Sequence, residues 1–205
     1  MKKASWIPRE RLAALPVTHA WADDNPFHLI ADPSKELEQQ CMGLSFRAQA
    51  ALVIACTEWL VARFEGVLSE PQLDEYLEAL WAAVVDQRFV TFNGDLLSSD
   101  DGPVHGPIGV AIATATDMFR GCDHRDAAFA VALVRHVTGS DPGFEKWLEE
   151  SLERLERRHP RGTDGVVARE IFGIDLAADE ESRLVVRFLR QLDASKNRFL
   201  VPGWH

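Results

Sequence analysis

One long apolar stretch limits the folds open to this chain more than any other feature. Residues 45–68 run SFRAQAALVIACTEWLVARFEGVL, with no proline and no glycine before Gly66. A helix that is apolar over most of its circumference is normally buried among other helices. Helical spacing places Ala48, Leu52, Ala55, Trp59 and Ala62 on one side, and Ala51, Ile54, Val61 and Phe64 on another. The stretch therefore predicts a buried central helix over residues 45–68.

The rest of the chain predicts further helices and no sustained strand alternation. Capping residues, prolines and glycines divide it into helices, which we expect at residues 34–42, 69–89, 108–119, 124–137, 143–159 and 176–193, with only short helical segments at 9–15 and 166–172. The segment 108–119 predicts a second helix that is apolar nearly all round. A short β-hairpin over residues 89–97 is the one alternative, because Asn93-Gly94 is a hairpin turn pair.

The predicted fold class is therefore all-α. We expect a single domain over residues 1–205, built as a bundle of about six to eight helices. Residues 1–32 contain Trp21, Phe27, Leu29 and Ile30 among prolines, and we expect an N-terminal arm that these side chains hold against the bundle. The apolar tail, residues 199–205, is expected to pack on the bundle through Trp204, since tryptophan buries a large area.

Charge excludes several classes of partner. The chain of 205 residues has a net charge of −10. Nucleic acids and anionic lipids need clustered positive charge, so both are disfavoured, whereas a basic protein is a permitted partner. A membrane span is also not expected, because Arg47, Glu58 and Arg63 interrupt the most apolar stretch, and a span needs about 20 predominantly apolar residues.

Cysteine usage and the first residues point to the cytoplasm. The three cysteines, Cys41, Cys56 and Cys122, are odd in number and far apart, which does not suit a disulfide framework. The sequence MKKASWIPRERL has no apolar segment after its lysines, and so does not resemble a secretory signal. We therefore expect a cytoplasmic protein.

The most informative group of polar residues is an acidic face on the helix after Pro71. Residues 65–101 contain nine acidic residues and one basic residue, Arg88. A run of like charge is usually a solvated face, but it also suits docking on a basic partner, because long-range attraction raises the association rate. The predicted partner-binding residues are Asp74, Glu75, Glu78 and Asp86 of the helix, and Asp95, Asp100 and Asp101 of the following loop.

Glu58 is the most unusual single residue, because it lies in the middle of the predicted central helix. A buried carboxylate must be paired or neutral. No basic residue lies three or four positions away, so we expect its partner to come from another helix. Together with His105 and Asp117, Glu58 forms the only acid–base set that we would assign to an enzyme.

Sequence motifs of known chemistry are missing. There is no G-x-S-x-G, no Walker loop and no dinucleotide fingerprint. Cys122 and His124 are a close pair that could bind a metal with His105, His136 or Asp117, but the spacing does not require this. The loop acids lack the ligand pattern of a calcium-binding loop. We therefore expect no metal and no cofactor.

Two function classes remain after these exclusions. The first is a non-catalytic, acidic protein-binding module, in its most concrete form a bacterial immunity protein that occludes the active site of a basic toxin. The second is a small-molecule-binding protein or hydrolase-type enzyme with a polar pocket around Glu58, His105 and Asp117. A flat or convex acidic face favours the first class, and a cavity that gathers those three side chains favours the second.

Overall fold

The computed structural model describes residues 3–68, 71–92, 102–121 and 124–203, and they form an all-α bundle without strands. This confirms the predicted fold class. The α-helices in chain order are α1 (Arg9–Ala13), α2 (Lys35–Met42), α3 (Phe46–Arg63), α4 (Pro71–Val85), α5 (His105–Met118), α6 (His124–Thr138), α7 (Pro142–Arg158) and α8 (Ala178–Gln191). Short 3₁₀ turns occur at Pro26–Leu29, Gln87–Phe89 and Arg169–Phe172.

Helix α3 is the buried centre of the bundle, as its apolar circumference predicted. Every residue from 50 to 60 is exposed by 1% or less, because α1, α4, α5 and α6 all pack against this helix. The Ser45 hydroxyl caps it by accepting the Ala48 N–H at 3.3 Å. The helix ends at Arg63 rather than at residue 68, and Gly66 continues in a turn with a φ of +92°.

Helix α5 differs from the prediction in two ways. It begins at His105, so that Pro107 lies in its first turn, where the missing proline N–H has no helical acceptor to lose. It is also not buried all round: Ile108 and Met118 face the core, whereas Val110 is half-buried and Ala113 is exposed. The reason is that α5 packs against α3 and α6, and these neighbours leave one side of α5 uncovered.

A buried polar junction connects three segments in the C-terminal part of the chain. His159, directly after α7, and Glu181 of α8 approach within 2.9 Å, between Nε2 and Oε1. The same carboxylate oxygen accepts the Ala168 N–H at 3.0 Å. Both side chains are exposed by less than 5%. The junction therefore fixes α8 relative to the end of α7 and to the 3₁₀ turn Arg169–Phe172.

Aromatic residues of the N-terminal arm lie against the bundle. Trp21 lies against Gly106 of α5, and the rings of Phe27 and Phe129 are 5.7 Å apart. The buried Arg63 donates to the arm carbonyl of Pro16 at 2.8 Å. The arm is thus bound by ring packing and by a guanidinium that contacts backbone oxygens.

Two sequence predictions can be checked only in part. The alternative hairpin requires residues 93–97, which lie outside the described residues. In the described part of that segment, Val90 forms an isolated antiparallel bridge with Leu200. This bridge brings the C-terminal segment onto the bundle, and Phe199 and Leu200 are buried there. Trp204 and His205 lie outside the described residues.

None of the described helices combines the length and the apolar character that a membrane-spanning helix requires.

Candidate partner-binding site

The acidic face predicted on α4 is only partly present. Asp74 is exposed and Glu75 is half-buried, and neither carboxylate is paired with a basic group of the described chain. The loop acids Asp95, Asp100 and Asp101 lie outside the described residues.

The other two predicted residues of that face are engaged by their own chain. The Asn197 side-chain amide donates to Glu78 at 3.1 Å. Asp86 accepts the Arg88 backbone N–H at 2.9 Å and an Arg88 guanidinium N–H at 2.6 Å. These bonds from Arg88 hold the pKa of Asp86 at about 2. The part of the α4 face that remains available to a partner is therefore smaller than the sequence suggested.

Glu58 has its predicted partners on other elements. It is 1% exposed, and its Oε1 accepts the Trp81 indole N–H at 3.0 Å. The Arg169 guanidinium lies 2.7 Å from the same oxygen. Burial raises the pKa of Glu58, while Arg169, Trp81 and Arg9 oppose that shift. The carboxylate is thus a structural link between α3, α4 and the 3₁₀ turn at Arg169.

A cavity of about 290 Å³ lies above this link, between α4 and α8. Trp81 and Arg169 line it on the side of Glu58, and the side chains of Leu184 and Phe188 give it apolar walls. Its lining contains charges of both signs, namely Glu78, Glu170, Arg169 and Arg187. The volume lies at the lower end of the range for small-molecule pockets, about 300–1,000 Å³.

The acid–base set proposed for an enzyme is not assembled. His105 begins α5 and Asp117 lies near its other end, which separates them by about 18 Å at 1.5 Å per residue. Asp117 pairs with Arg120 at 3.3 Å and is 48% exposed. Neither residue lines the cavity above Glu58. The three side chains therefore do not line a single pocket, although the second function class requires one.

Of the residues considered as metal ligands, Cys122 and the side chain of His124 lie outside the described residues. Among the described residues, no group of three or more potential ligands from His, Cys, Asp and Glu comes together.

Cys41 is buried, and burial, with smaller effects of Glu156 and Glu38, raises its pKa to about 12. This thiol is therefore protonated at neutral pH.

A second acidic surface, which we call the acidic groove, lies between α2 and α7. Its volume is about 390 Å³. The buried leucines Leu37, Leu148 and Leu152 contribute to its base. Its charged lining residues are Glu36 of α2, Glu145, Glu149, Glu153 and Glu156 of α7, and Arg135 of α6.

The acidic groove keeps most of its negative charge. The Arg135 guanidinium donates to both oxygens of Glu145, at 2.9 and 2.7 Å, so this cation and this carboxylate neutralise each other. Glu36, Glu149 and Glu156 have no ion pair within the described chain.

The sequence contained a signal for this surface, although we did not predict it. One lysine and three arginines are interspersed among five glutamates along α7, so the helix appears nearly balanced when charge is counted along the chain. At about 100° per residue, however, four glutamates share about 80° of the circumference: Glu145, Glu149, Glu153 and Glu156. The basic residues Lys146, Arg154 and Arg157 lie beyond that arc. A helical projection of α7 therefore separates these four glutamates from the basic residues, which share their side of the helix with Glu150.

Comparison with known proteins adds no further information about this site. The chain matches no protein-family model, no curated protein and no solved structure.

Proposed function

We propose that this protein is a non-catalytic, acidic binding module that docks on a basic protein and blocks it, as an immunity protein blocks a toxin enzyme. One observation carries the proposal: most described arginines bind acceptors of their own chain, whereas many surface carboxylates have no ion pair. The described acids without an ion pair include Glu10, Asp23, Asp32, Glu36, Asp74, Glu75, Glu149, Glu156 and Glu180. These carboxylates leave uncompensated negative charge on the described surface.

The expected mechanism is occlusion guided by electrostatic attraction. Enzymes that act on nucleic acids have clustered positive charge, since they must bind phosphates. A surface of opposite sign attracts such a cleft from a distance and can raise the association rate by orders of magnitude. Once docked, the acidic module covers the cleft, and substrate cannot enter. The interaction needs no chemical step on either side.

The buried carboxylates support a non-catalytic role. A general base must reach a substrate proton, but Glu58 is only 1% exposed, and its Oε1 is bound by Arg169 and Trp81. Glu181 is likewise enclosed, between His159 and the Ala168 N–H. Both groups hold elements of the fold together. We therefore assign function to the surface of the molecule.

The test is capture of a partner, followed by a measurement of its activity. The full chain is immobilised and exposed to extract of the native cell at about 50 mM and about 500 mM NaCl, since charge-driven binding is screened by salt. The product of the adjacent reading frame is tested in parallel as a purified protein. We expect a basic protein that binds at low salt and loses its activity at a one-to-one ratio. A partner that remains fully active when saturated contradicts the proposal.

The cavity between α4 and α8 favours one second candidate, a small-molecule-binding protein. Apolar walls with a few charged groups are the usual composition of such pockets, and this lining has both. Val85→Trp would fill the cavity, whereas Ala113→Trp on the exposed side of α5 adds the same bulk elsewhere. In a thermal-shift screen of small amines and carboxylic acids, a ligand of the cavity stabilises the wild type and Ala113→Trp. It does not stabilise Val85→Trp. If no compound behaves in this way, the cavity is a packing feature.

A further inference from the structure

We propose that the acidic groove between α2 and α7, rather than the α4 face, is the docking surface, and that it binds a lysine- or arginine-rich helix of the partner protein. This inference rests on the proposed function, because it names the surface and the segment through which the basic partner is held.

The charge of the acidic groove favours a polycation. Five carboxylates and one guanidinium line it, which gives a net charge of −4. Three of the carboxylates, Glu36, Glu149 and Glu156, lack an ion pair. The fourth, Glu153, is 75% exposed, and its ion pair with Arg157 is long, at 3.9 Å. Like charges one turn apart destabilise a helix slightly. A cation between Glu149 and Glu153 would relieve the repulsion between their carboxylates. A second copy of this acidic chain, or a nucleic acid, would be repelled.

The shape of the acidic groove favours a helix over a point charge. The glutamates run along α7 from residue 145 to residue 156, which corresponds to about 16 Å of helix. A partner helix of about three turns, with lysines or arginines at one-turn spacing, places successive cations beside successive carboxylates. The buried leucines at the base leave little apolar surface to cover. Binding should therefore depend strongly on salt, and the partner helix should be more basic than apolar.

The test compares a groove variant with a control variant of equal net charge. The groove variant is Glu36→Gln, Glu149→Gln and Glu156→Gln. The control variant removes three unpaired acids elsewhere, as Glu10→Gln, Asp32→Asn and Glu180→Gln. A third variant, Asp74→Asn with Glu75→Gln, alters the α4 face. Circular dichroism and melting temperature establish that each variant folds. All six carboxylates of the first two variants lack an ion pair, so folding is expected to be unaffected.

The probe is a lysine-rich, alanine-based helical peptide of about 15 residues, a length at which isolated helices begin to be stable. Its affinity is measured by fluorescence anisotropy at about 50 mM and about 300 mM NaCl. The contact surface is mapped by amide chemical shifts. We expect the groove variant to bind about tenfold more weakly, since three charge pairs are lost, and the control variant to change by less than about threefold. Shifts should concentrate in α2 and α7.

Equal weakening in the groove and control variants, or shifts spread over the surface, would show attraction to overall charge only and would overturn the groove assignment. The same variants are then tested on the protein captured from the native cell. If only the α4 variant loses that partner, the groove assignment is wrong and the proposed function stands. If a partner binds with no dependence on salt or on any variant, the charge-based function fails as well.

Discussion

At the scale of single residues, the buried charges of this protein have structural roles. Glu58 lies in the centre of the bundle and meets Arg169 from a distant turn and Trp81 from α4. Removing one partner of a buried ion pair is costly, because the other charge is then left in a poorly solvated place. The residue that looked most like a catalytic group in the sequence is thus better explained as a link between elements.

Glu58→Gln should lower the free energy of unfolding by about 3 kcal/mol, the lower end of the range for a broken buried pair, because Arg169 is not fully enclosed. Glutamine can still accept the Trp81 hydrogen bond, so the loss of stability measures the contribution of the Glu58 negative charge. The measurement is urea unfolding at pH 7. Glu65→Gln is the control, since Glu65 pairs with Arg9 at 3.0 Å but is 32% exposed, and its loss should cost about 1 kcal/mol or less. An unchanged urea midpoint for Glu58→Gln would show that this carboxyl is protonated in the fold.

His19 is a second informative residue, because it connects the N-terminal arm to the bundle. Its Nε2 lies 2.8 Å from the Pro103 carbonyl oxygen, and its ring is 5.7 Å from that of His136. Burial lowers the pKa of His19, and the nearby His136 and Arg63 lower it further, against the opposing effect of the Pro103 hydrogen bond. The folded protein therefore favours the neutral imidazole.

This shift predicts a loss of stability in mild acid. The unfolded chain takes up the proton at the ordinary pKa of 6.5, and the folded chain takes it up only at a lower pH. The contribution of His19 is therefore complete above about pH 6.5 and is lost as the pH falls through the folded-state pKa. Urea unfolding between about pH 5 and pH 7.5 should show a weaker pH dependence for His19→Gln than for the wild type. His28→Gln, at an exposed position of the arm, should not change the profile.

At the scale of elements, two glycines of α5 have opposite expected effects. A Cβ at Gly106 would overlap the Trp21 indole, whereas a Cβ at Gly109 would meet no atom within 4 Å. Helical Gly→Ala substitutions in open space are stabilising, because glycine loses more conformational freedom on folding. The first turn of α5 therefore needs a glycine for packing of the arm, and the second turn does not.

Gly106→Ala should destabilise the protein by about 1–3 kcal/mol, as expected for overpacking, and should make residues 14–32 more sensitive to limited proteolysis. Gly109→Ala should stabilise it by about 0.5–1 kcal/mol and leave proteolysis of the arm unchanged. Urea unfolding and mass spectrometry of early fragments measure the two effects. Equal stability of the two variants would mean that Trp21 does not pack on α5 in solution.

Elements also differ in how far the sequence revealed them. The beginning of α3 followed from Ser45, because a capping serine acts within its own turn. The end did not, since nothing local stops a helix at Arg63 before the glycine at position 66. The acidic groove was missed for a similar reason. It is lined by residues of α2, α6 and α7, and these helices come together only through tertiary packing. Charge counted along the chain pointed to α4 instead, and the partner site on α4 stays a prediction.

At the scale of the whole molecule, the helices share one core around α3, and the chain should unfold as one unit. Domains with a common core usually show a single cooperative transition. Thermal unfolding followed by far-UV and by near-UV circular dichroism should give coincident curves, with the tryptophan signal lost together with helicity. Two separate transitions would contradict the single-domain prediction for residues 1–205.

The sequence by itself determined the helical class, the central position of α3 and the excess of negative charge, because each depends on composition and on periodicity within about one or two turns of chain. Tertiary structure decided which carboxylates remain available. It joined Glu58 to Arg169 and Asn197 to Glu78, and it placed Glu36 opposite the glutamates of α7. Ion pairing acts over a few ångströms in space, and residues that are more than 100 positions apart in the chain are brought within that distance only by packing of the helices.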